Sequence, residues 1–380
     1  MNQLITVSIL LGILLATCIL FTTVFTNRLT NSQLYDSLDR SSPIDAMRGV
    51  LALSVMTHHF YITYVWKTVG EWKAPEILFL DNLGAVGVSL FFLTTGFLFL
   101  NKIKKNIVDW KALYISRFRR ILPLFFFAAT IVILITFMSI DRPINDYESL
   151  KFIFKWLVFL GRDIDSFQSV QIIAGVHWSL IYEWAFYLLL PFIFIILHKK
   201  SPPKIVLALC FIPALYILTI TGKKIYLLFV LSYLSIFFKD QIKDLIRNHE
   251  SKCNILVLSI LLFTMCFTHA YSIIQQILVS IVFAFIANGL SLFVLNNKGL
   301  KVLGDISYSI YLMHGIILYT LFTILNIFNF KESIYSFMTY YPLVFIITIF
   351  TSLFTHKFIE KKFIENHRKD LNKLTQPTLS

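Results

Sequence analysis

The chain has 380 residues, 57% hydrophobic and only 14% charged, with 38 phenylalanines and a formal net charge of +13. Soluble domains carry roughly a quarter charged residues, so this composition excludes an ordinary soluble enzyme and a disordered protein. Apolar surface spread through a whole chain is rewarded only by lipid, which points to a polytopic membrane protein. The four cysteines (Cys18, Cys210, Cys253 and Cys266) show neither metal-ligand nor disulfide spacing, so no metal site is expected.

In chain order, the first apolar run is 4–26. It lacks a basic leading region and a small-residue cleavage site, and so reads as an uncleaved anchor rather than a signal peptide. Further runs able, or nearly able, to cross about 30 Å of hydrocarbon follow at 49–66, 84–100, 121–139, 178–197, 204–221, 225–238, 254–270, 271–295, 305–326 and 340–356. The stretch 151–161 is too short and carries Lys155, so it reads as interfacial or re-entrant. The expected fold is therefore an all-α polytopic integral membrane protein of ten core transmembrane helices plus one extra N-terminal helix. Residues 1–41 form the anchor and a cytoplasmic linker, 42–365 the transmembrane domain, and 366–380 a polar tail.

Orientation follows from the basic residues. The linker 101–120 holds seven Lys/Arg against one Asp, which places it in the cytoplasm. Alternation then puts 27–48, 198–203, 239–253, 296–304 and the C-terminal tail on the same side, and most basic residues fall in these segments. The expected location is a cell (plasma) membrane, multi-pass, with the C-terminus cytoplasmic. The positive charge is thereby a topology signal; lipids are the expected partners and nucleic acid is not.

Of 21 acidic residues, twenty fall in loops or at span edges, Asp305 at the start of a run among them, and only Glu183 sits inside an expected span. Carboxylates in hydrocarbon are costly and are usually kept for function. Ser179, Glu183 and Tyr187 recur every four residues and draw one polar stripe down an apolar helix. In 43–60, Arg48 and His59 lie eleven residues apart, which is three turns plus about 20°, so they share a face about 16 Å apart along the axis. His59 is a candidate general base, whereas the adjacent His58 points about a quarter turn away and reads as a packing residue. Ser307, Tyr311 and His314 share another face, near mid-span; such residues also serve as hydrogen-bonded glue between membrane helices. Arg117 and Arg120, one turn apart, suit a phosphorylated cytoplasmic ligand, or equally an anionic lipid surface.

Taken in order, these segments resemble the acyltransferase-three family of membrane O-acyltransferases, of the O-antigen and Nod-factor O-acetylase type. Arg48 through His59 resembles its Arg-x10-His signature, and GVSLFFLTTGFLF at 87–99 its GVDLFFVLSGFL segment. Arg117 and Arg120 match its Arg-x-x-Arg, WSLIYEWAFYLL its WSLxxE block, ISYSIYLMHG its SYSIYLLH, and FIEKKF its FIEKPF, which places Glu360. The similarity runs over about 42–365. Ser89 stands where the family has Asp, Thr95 where it has Ser, and Lys362 where it has Pro; any role of that Asp is not carried over.

The resemblance implies transfer of an acyl group, usually acetyl from cytoplasmic acetyl-CoA, to a carbohydrate hydroxyl at the outer face, with no bound cofactor. His59, with Arg48 and Glu183, would be catalytic, and Arg117 and Arg120 would hold the acyl-CoA. Ser179, Tyr187, Tyr311, His314 and Glu360 would support the site. A transporter or flippase of lipid-linked sugars is the competing reading, since it too would have many spans and few buried polar groups. No sequence feature names the sugar or sets an oligomeric state.

Overall fold

The computed structural model describes residues 2–24, 43–105, 108–140, 145–292 and 297–364. Most of the linker expected before residue 43 and the polar tail 366–380 lie outside them. Among the described residues the fold is all helical, apart from one isolated antiparallel bridge between Ile164 and Phe167. In hydrocarbon every backbone N–H and C=O needs an internal partner, and a helix supplies it within one segment.

The helices are α1 (Asn2–Val24), α2 (Pro43–Val69), α3 (Leu78–Lys104), α4 (Trp110–Ser139), α5 (Asp146–Leu157), α6 (Ser169–Ile172), α7 (Trp178–His198) and α8 (Lys204–Ile220). They continue with α9 (Tyr226–Leu231), α10 (Leu234–Phe237), α11 (Lys239–Phe267), α12 (Ile273–Ala287), α13 (Lys298–Asp305), α14 (Ser307–Tyr319), α15 (Ile334–Met338) and α16 (Tyr341–Thr355). One π-helical turn, Thr320–Ile324, extends α14, and a second, His356–Glu360, extends α16.

Among the described residues, six helical stretches are long and apolar enough to cross a membrane: α3, α4, α7, α11, Ser307–Ile324 and Ile334–Ile364. Helix α2 has 27 residues but stands outside this group because it carries Asp45, Arg48, His58, His59 and Lys67. The expected run 225–238 is two short helices, and the described part of the run 271–295, residues 271–292, is helical over the 15 residues of α12. The basic segment 239–253, expected as a loop, is the charged first half of α11, which bends at the non-helical His249. The stretch around 151–161 forms α5, a separate amphipathic helix that buries Phe152 and Trp156.

Helix α2 packs along α3 and also against α13 and α14. At its crossing with α13 the backbones nearly touch: a Cβ on Gly304 would overlap the Asp45 carbonyl, and one on Gly49 would lie 2.7 Å from the Leu300 carbonyl oxygen. Small residues permit such approaches between membrane helices. Helix α14 is central and nearly all buried, flanked by α2, α4, α6 and α16. Large apolar side chains such as Leu134, Ile196, Phe211, Phe267 and Phe354 are exposed instead, as lipid contact requires.

Buried polar groups lock the ends. Asn82, fully buried on α3, donates from its amide to the Thr264, Met265 and Thr268 carbonyls at the end of α11, at 3.2, 3.1 and 2.8 Å. Its own carbonyl accepts from Gln275 of α12 at 2.6 Å. These are carbonyls that a helix C-terminus leaves without intrahelical partners.

Candidate functional site

A cavity of about 110 Å³ opens between α2, α3, α4, α7 and α14. Arg48, Arg117, Arg120, Glu183, Ser179 and Tyr311 all line it, with Thr95, Ser307 and Tyr308, between aromatic walls that include Phe91 and Phe99. Residues from five helices thus meet around three guanidinium groups and one carboxylate. Arg117 lies 5.1 Å over the Phe99 ring, a cation–π contact. Arg48 makes no hydrogen bond or ion pair among the described residues, although Arg120, Glu183 and Glu360 all lie within its electrostatic range. The Ser307 hydroxyl is buried with no hydrogen-bond partner.

Glu183 accepts from the Tyr187 hydroxyl one turn on and, at 3.5 Å, from the Thr95 hydroxyl of α3. A proline fixes the helix beneath it. Pro191 has no N–H, so the Tyr187 carbonyl loses its helical donor. The Tyr114 hydroxyl of α4 supplies one instead, at 3.0 Å. Fully buried Tyr187 is thereby tied to two helices, and it holds the Glu183 carboxylate in the cavity wall.

His59 belongs to a second cluster. His314 is fully buried, and its Nδ1 lies 3.0 Å from the Ile310 carbonyl, which can only accept. In the neutral ring, Nδ1 therefore carries the proton and Nε2 accepts. That Nε2 lies 3.0 Å from His59 Nδ1, which is also 3.1 Å from the Val55 carbonyl. Facing two acceptors, His59 Nδ1 must carry a proton, so in neutral His59 the lone pair is on Nε2, which has no hydrogen bond among the described residues. The rings of His59 and His314 are stacked at 5.1 Å, and Trp72 stacks on His59 at 6.2 Å.

The close pack behind His314 depends on its neighbour. A Cβ on Gly315 would overlap the Ile173 backbone, so the short segment 169–177 can press directly on α14. Trp72 reaches His59 because α2 ends at Gly70, with φ of 85°, whose N–H bonds to the Trp66 carbonyl at 2.8 Å. That left-handed position favours glycine and turns the chain back over the helix.

Tyr311 stands between the clusters. Its hydroxyl is 2.8 Å from that of Ser179 and 3.2 Å from the Val176 carbonyl, while its ring centroid is 6.3 Å from that of His314. Arg48, Arg117, Arg120, Glu183, Ser179 and Tyr311 are thus brought to one cavity, with Tyr187 holding it from behind. His59 and His314 pair beside it. His59 and Glu183 share no hydrogen bond. Glu360 lies apart in a buried network, accepting from Ser309 and lying 3.3 Å from His356 Nδ1, with Thr355 donating to Ser309 at 3.1 Å. His58 sits against α3, its Nδ1 2.8 Å from the Leu80 carbonyl.

Trp72 and Tyr308 were not singled out by the sequence reading. Trp72 had one signal, as a lone aromatic residue among Glu71, Lys73 and Glu76. Tyr308, which donates to the Ile121 carbonyl at 2.9 Å, had none beyond its neighbours.

A protein family described as an acyltransferase domain matches residues 42–357. ORF330 of Acidianus two-tailed virus, whose name places it among acetyltransferases, is 26% identical over 295 residues, covering 71% of this chain and 81% of that protein. The peptidoglycan O-acetyltransferase OatA of Listeria monocytogenes is 23% identical over 177 residues, covering 43% of this chain and 26% of OatA. No solved structure is significantly similar to the chain.

Proposed function

Because the chain belongs to this acyltransferase family and is an O-acyltransferase enzyme, we propose that it moves an acyl group, acetyl in the first instance, from cytoplasmic acyl-CoA to a hydroxyl of a cell-surface or lipid-linked carbohydrate. In this reading the protein crosses the plasma membrane with ten core spans and one N-terminal span, its C-terminus cytoplasmic. The Arg48 end of α2 then faces the cytoplasm and the Trp72 end faces outward.

One observation carries the reading: α2 presents Arg48 to a cavity holding Arg117 and Arg120, and on the same face presents a histidine whose Nε2 is the free base. Phosphates of the donor suit the guanidinium groups, because planar N–H donors match phosphate oxygens. His59 Nε2 takes the proton of the acceptor hydroxyl as its oxygen attacks the thioester carbonyl. The C–S bond breaks as the new C–O bond is kept, CoA leaves as thiolate, and the proton held by His59 is available to it. His314 holds the Nδ1 proton in place throughout. Glu183 acts on the cavity side, where its charge balances one arginine.

Full-length protein purified in detergent and given acetyl-CoA with a labelled acetyl group tests this reading. Transfer to added glycan with release of CoA is expected, whereas a flippase would show neither. His59→Ala should lose activity by about 100-fold or more, the usual share of a general base, at unchanged protein level in the membrane. Normal transfer by that variant would overturn the assignment.

A further inference from the structure

The proposed chemistry leaves one large hollow unused. A basin of about 820 Å³ lies at the Val69 end of α2, walled by Lys67, Asn326, Asn329, Phe330, Lys331 and Tyr340. That volume is within the usual range of small-molecule sites, about 300–1,000 Å³. Glu332 is the basin's one carboxylate against two lysines. Among the described residues neither lysine has an ion-pair partner within 4 Å. Lys67 Nζ instead lies 5.0 Å over the Trp66 ring and 6.0 Å from that of Phe330. The Asn326 side chain makes no hydrogen bond among the described residues, and its backbone takes a left-handed turn, with φ of 47°. The wall therefore offers free amide and ammonium groups between aromatic faces.

A line of rings connects this basin to the base. Trp66, beneath Lys67, meets Trp72 edge-on at 5.4 Å, and Trp72 stacks on His59 at 6.2 Å. Trp66 also stacks on Tyr319 at 6.2 Å and donates from its indole N–H to Gln168 at 3.2 Å, so its orientation is fixed.

We infer that this basin binds an anionic oligosaccharide, and, resting on the acyl-transfer reading above, that the occupant is the acceptor glycan. Amides pair with sugar hydroxyls, aromatic faces cover the apolar C–H faces of pyranose rings, and the two unpaired ammonium groups select a carboxylate or phosphate substituent. A neutral glycan would leave both charges unmatched. A phospholipid would need an apolar wall for its acyl chains, and here lysine, asparagine, threonine and glutamate side chains make up most of the wall. A chain seated in the basin and running along Trp66 and Trp72 brings a hydroxyl of its terminal residue to His59 Nε2.

The test is a titration of the full-length protein, in phosphatidylcholine nanodiscs, with trigalacturonate and with its neutral methyl ester, followed by tryptophan fluorescence at low salt. Trigalacturonate should bind about tenfold more tightly than the ester, the order expected of two partly exposed charge contacts. The Lys67→Gln/Lys331→Gln double variant should lose that preference. Equal binding of acid and ester, or an undiminished preference in the double variant, overturns the inference. So does a trigalacturonate response abolished by phosphatidylglycerol in the disc, which would make the occupant a lipid. Folding of the double variant is checked by its thermal midpoint and by its retained binding of the ester. The titration contains no acyl donor, so loss of binding refutes the basin alone, and failure to release CoA refutes the transferase reading alone.

Discussion

Replacing His314 separates an acceptor for the His59 proton from mere filling of space. In the native arrangement His314 Nε2 accepts from His59 Nδ1–H at 3.0 Å, with the ring fully buried. When His59 takes the substrate proton it becomes a cation, and this hydrogen bond becomes one to a charged group, worth about 1.5–3 kcal/mol. His314→Phe keeps a planar ring in the same space but offers no acceptor. The neutral bond, worth about 0.5–1.5 kcal/mol, is already made before transfer, so the barrier loses only the increment of about 1–1.5 kcal/mol, which at about 1.4 kcal/mol per decade slows transfer by roughly 5- to 10-fold. His314→Gln can present its side-chain carbonyl to the same N–H and should stay within about twofold of wild type. The assay is CoA release from acetyl-CoA by purified variants, normalised to folded protein. Wild-type rates in His314→Phe refute the reasoning, as does a glutamine variant slowed as far as the phenylalanine one, which would make His314 a packing residue.

Three further outcomes follow from the packing. Gly304→Ala places a methyl group against the Asp45 carbonyl, where neither backbone can yield, so the thermal midpoint should fall by the equivalent of about 1–3 kcal/mol; an unchanged midpoint would show that the crossing is looser than described. Asn82→Leu takes the amide donor from the carbonyls at the end of α11 and leaves the Gln275 amide with only the Thr268 hydroxyl, so stability should drop by about 1–3 kcal/mol. Transfer rate per folded molecule should hold, and a fall in rate without a fall in stability would refute a structural role. Burial keeps the His177 imidazole, just before α7, below its usual titration range. Its folded form is therefore neutral, and its contribution is present above the unfolded-state value of about 6.5 and lost as pH falls below it. The midpoint measured from pH 8 to 5 should decline less steeply in His177→Gln, and parallel curves would exclude this histidine as a source of acid sensitivity.

What could be read in the sequence was whatever has a period. Arg48 and His59 share a face by arithmetic on a helix, and α2 runs through both of them. The stripe Ser179, Glu183, Tyr187 is likewise local, and all three act around the cavity. Pairing across the chain is not periodic, and there the sequence is silent. His59 and His314 are 255 residues apart, and Tyr311 and Ser179 are 132 apart. Glu183 and His59 were both catalytic candidates, yet Glu183 meets Thr95 and Tyr187 beside the arginines and shares no hydrogen bond with His59. Charge misled in one place. The lysines, aspartates and Arg247 of 239–253 read as loop, although a helix extending beyond the lipid carries them without penalty. The six stretches that meet length and hydropathy together are fewer than the runs found along the sequence, because helices such as α8 and α12 are short and α2 is polar.

The separation of base and arginines along α2 has an electrostatic consequence. His59 must hold a positive charge at the moment of proton transfer, and three arginines in direct contact would oppose it. At an effective dielectric constant of about 20, two unit charges 4 Å apart repel by about 4 kcal/mol, and at about 16 Å by about 1 kcal/mol. The three turns between Arg48 and His59 supply that distance. Glu183, placed with the arginines rather than with the base, offsets one of the three charges, and donor phosphates would offset the others. Among the described residues, the near neighbours of His59 are a carbonyl, the two imidazoles of His58 and His314, and an indole. The charge that His59 takes on is then met at close range by the acceptor on Nδ1 and only weakly opposed by the arginines of the cavity, which is why a single imidazole, His314, can matter as much as any of the charged groups.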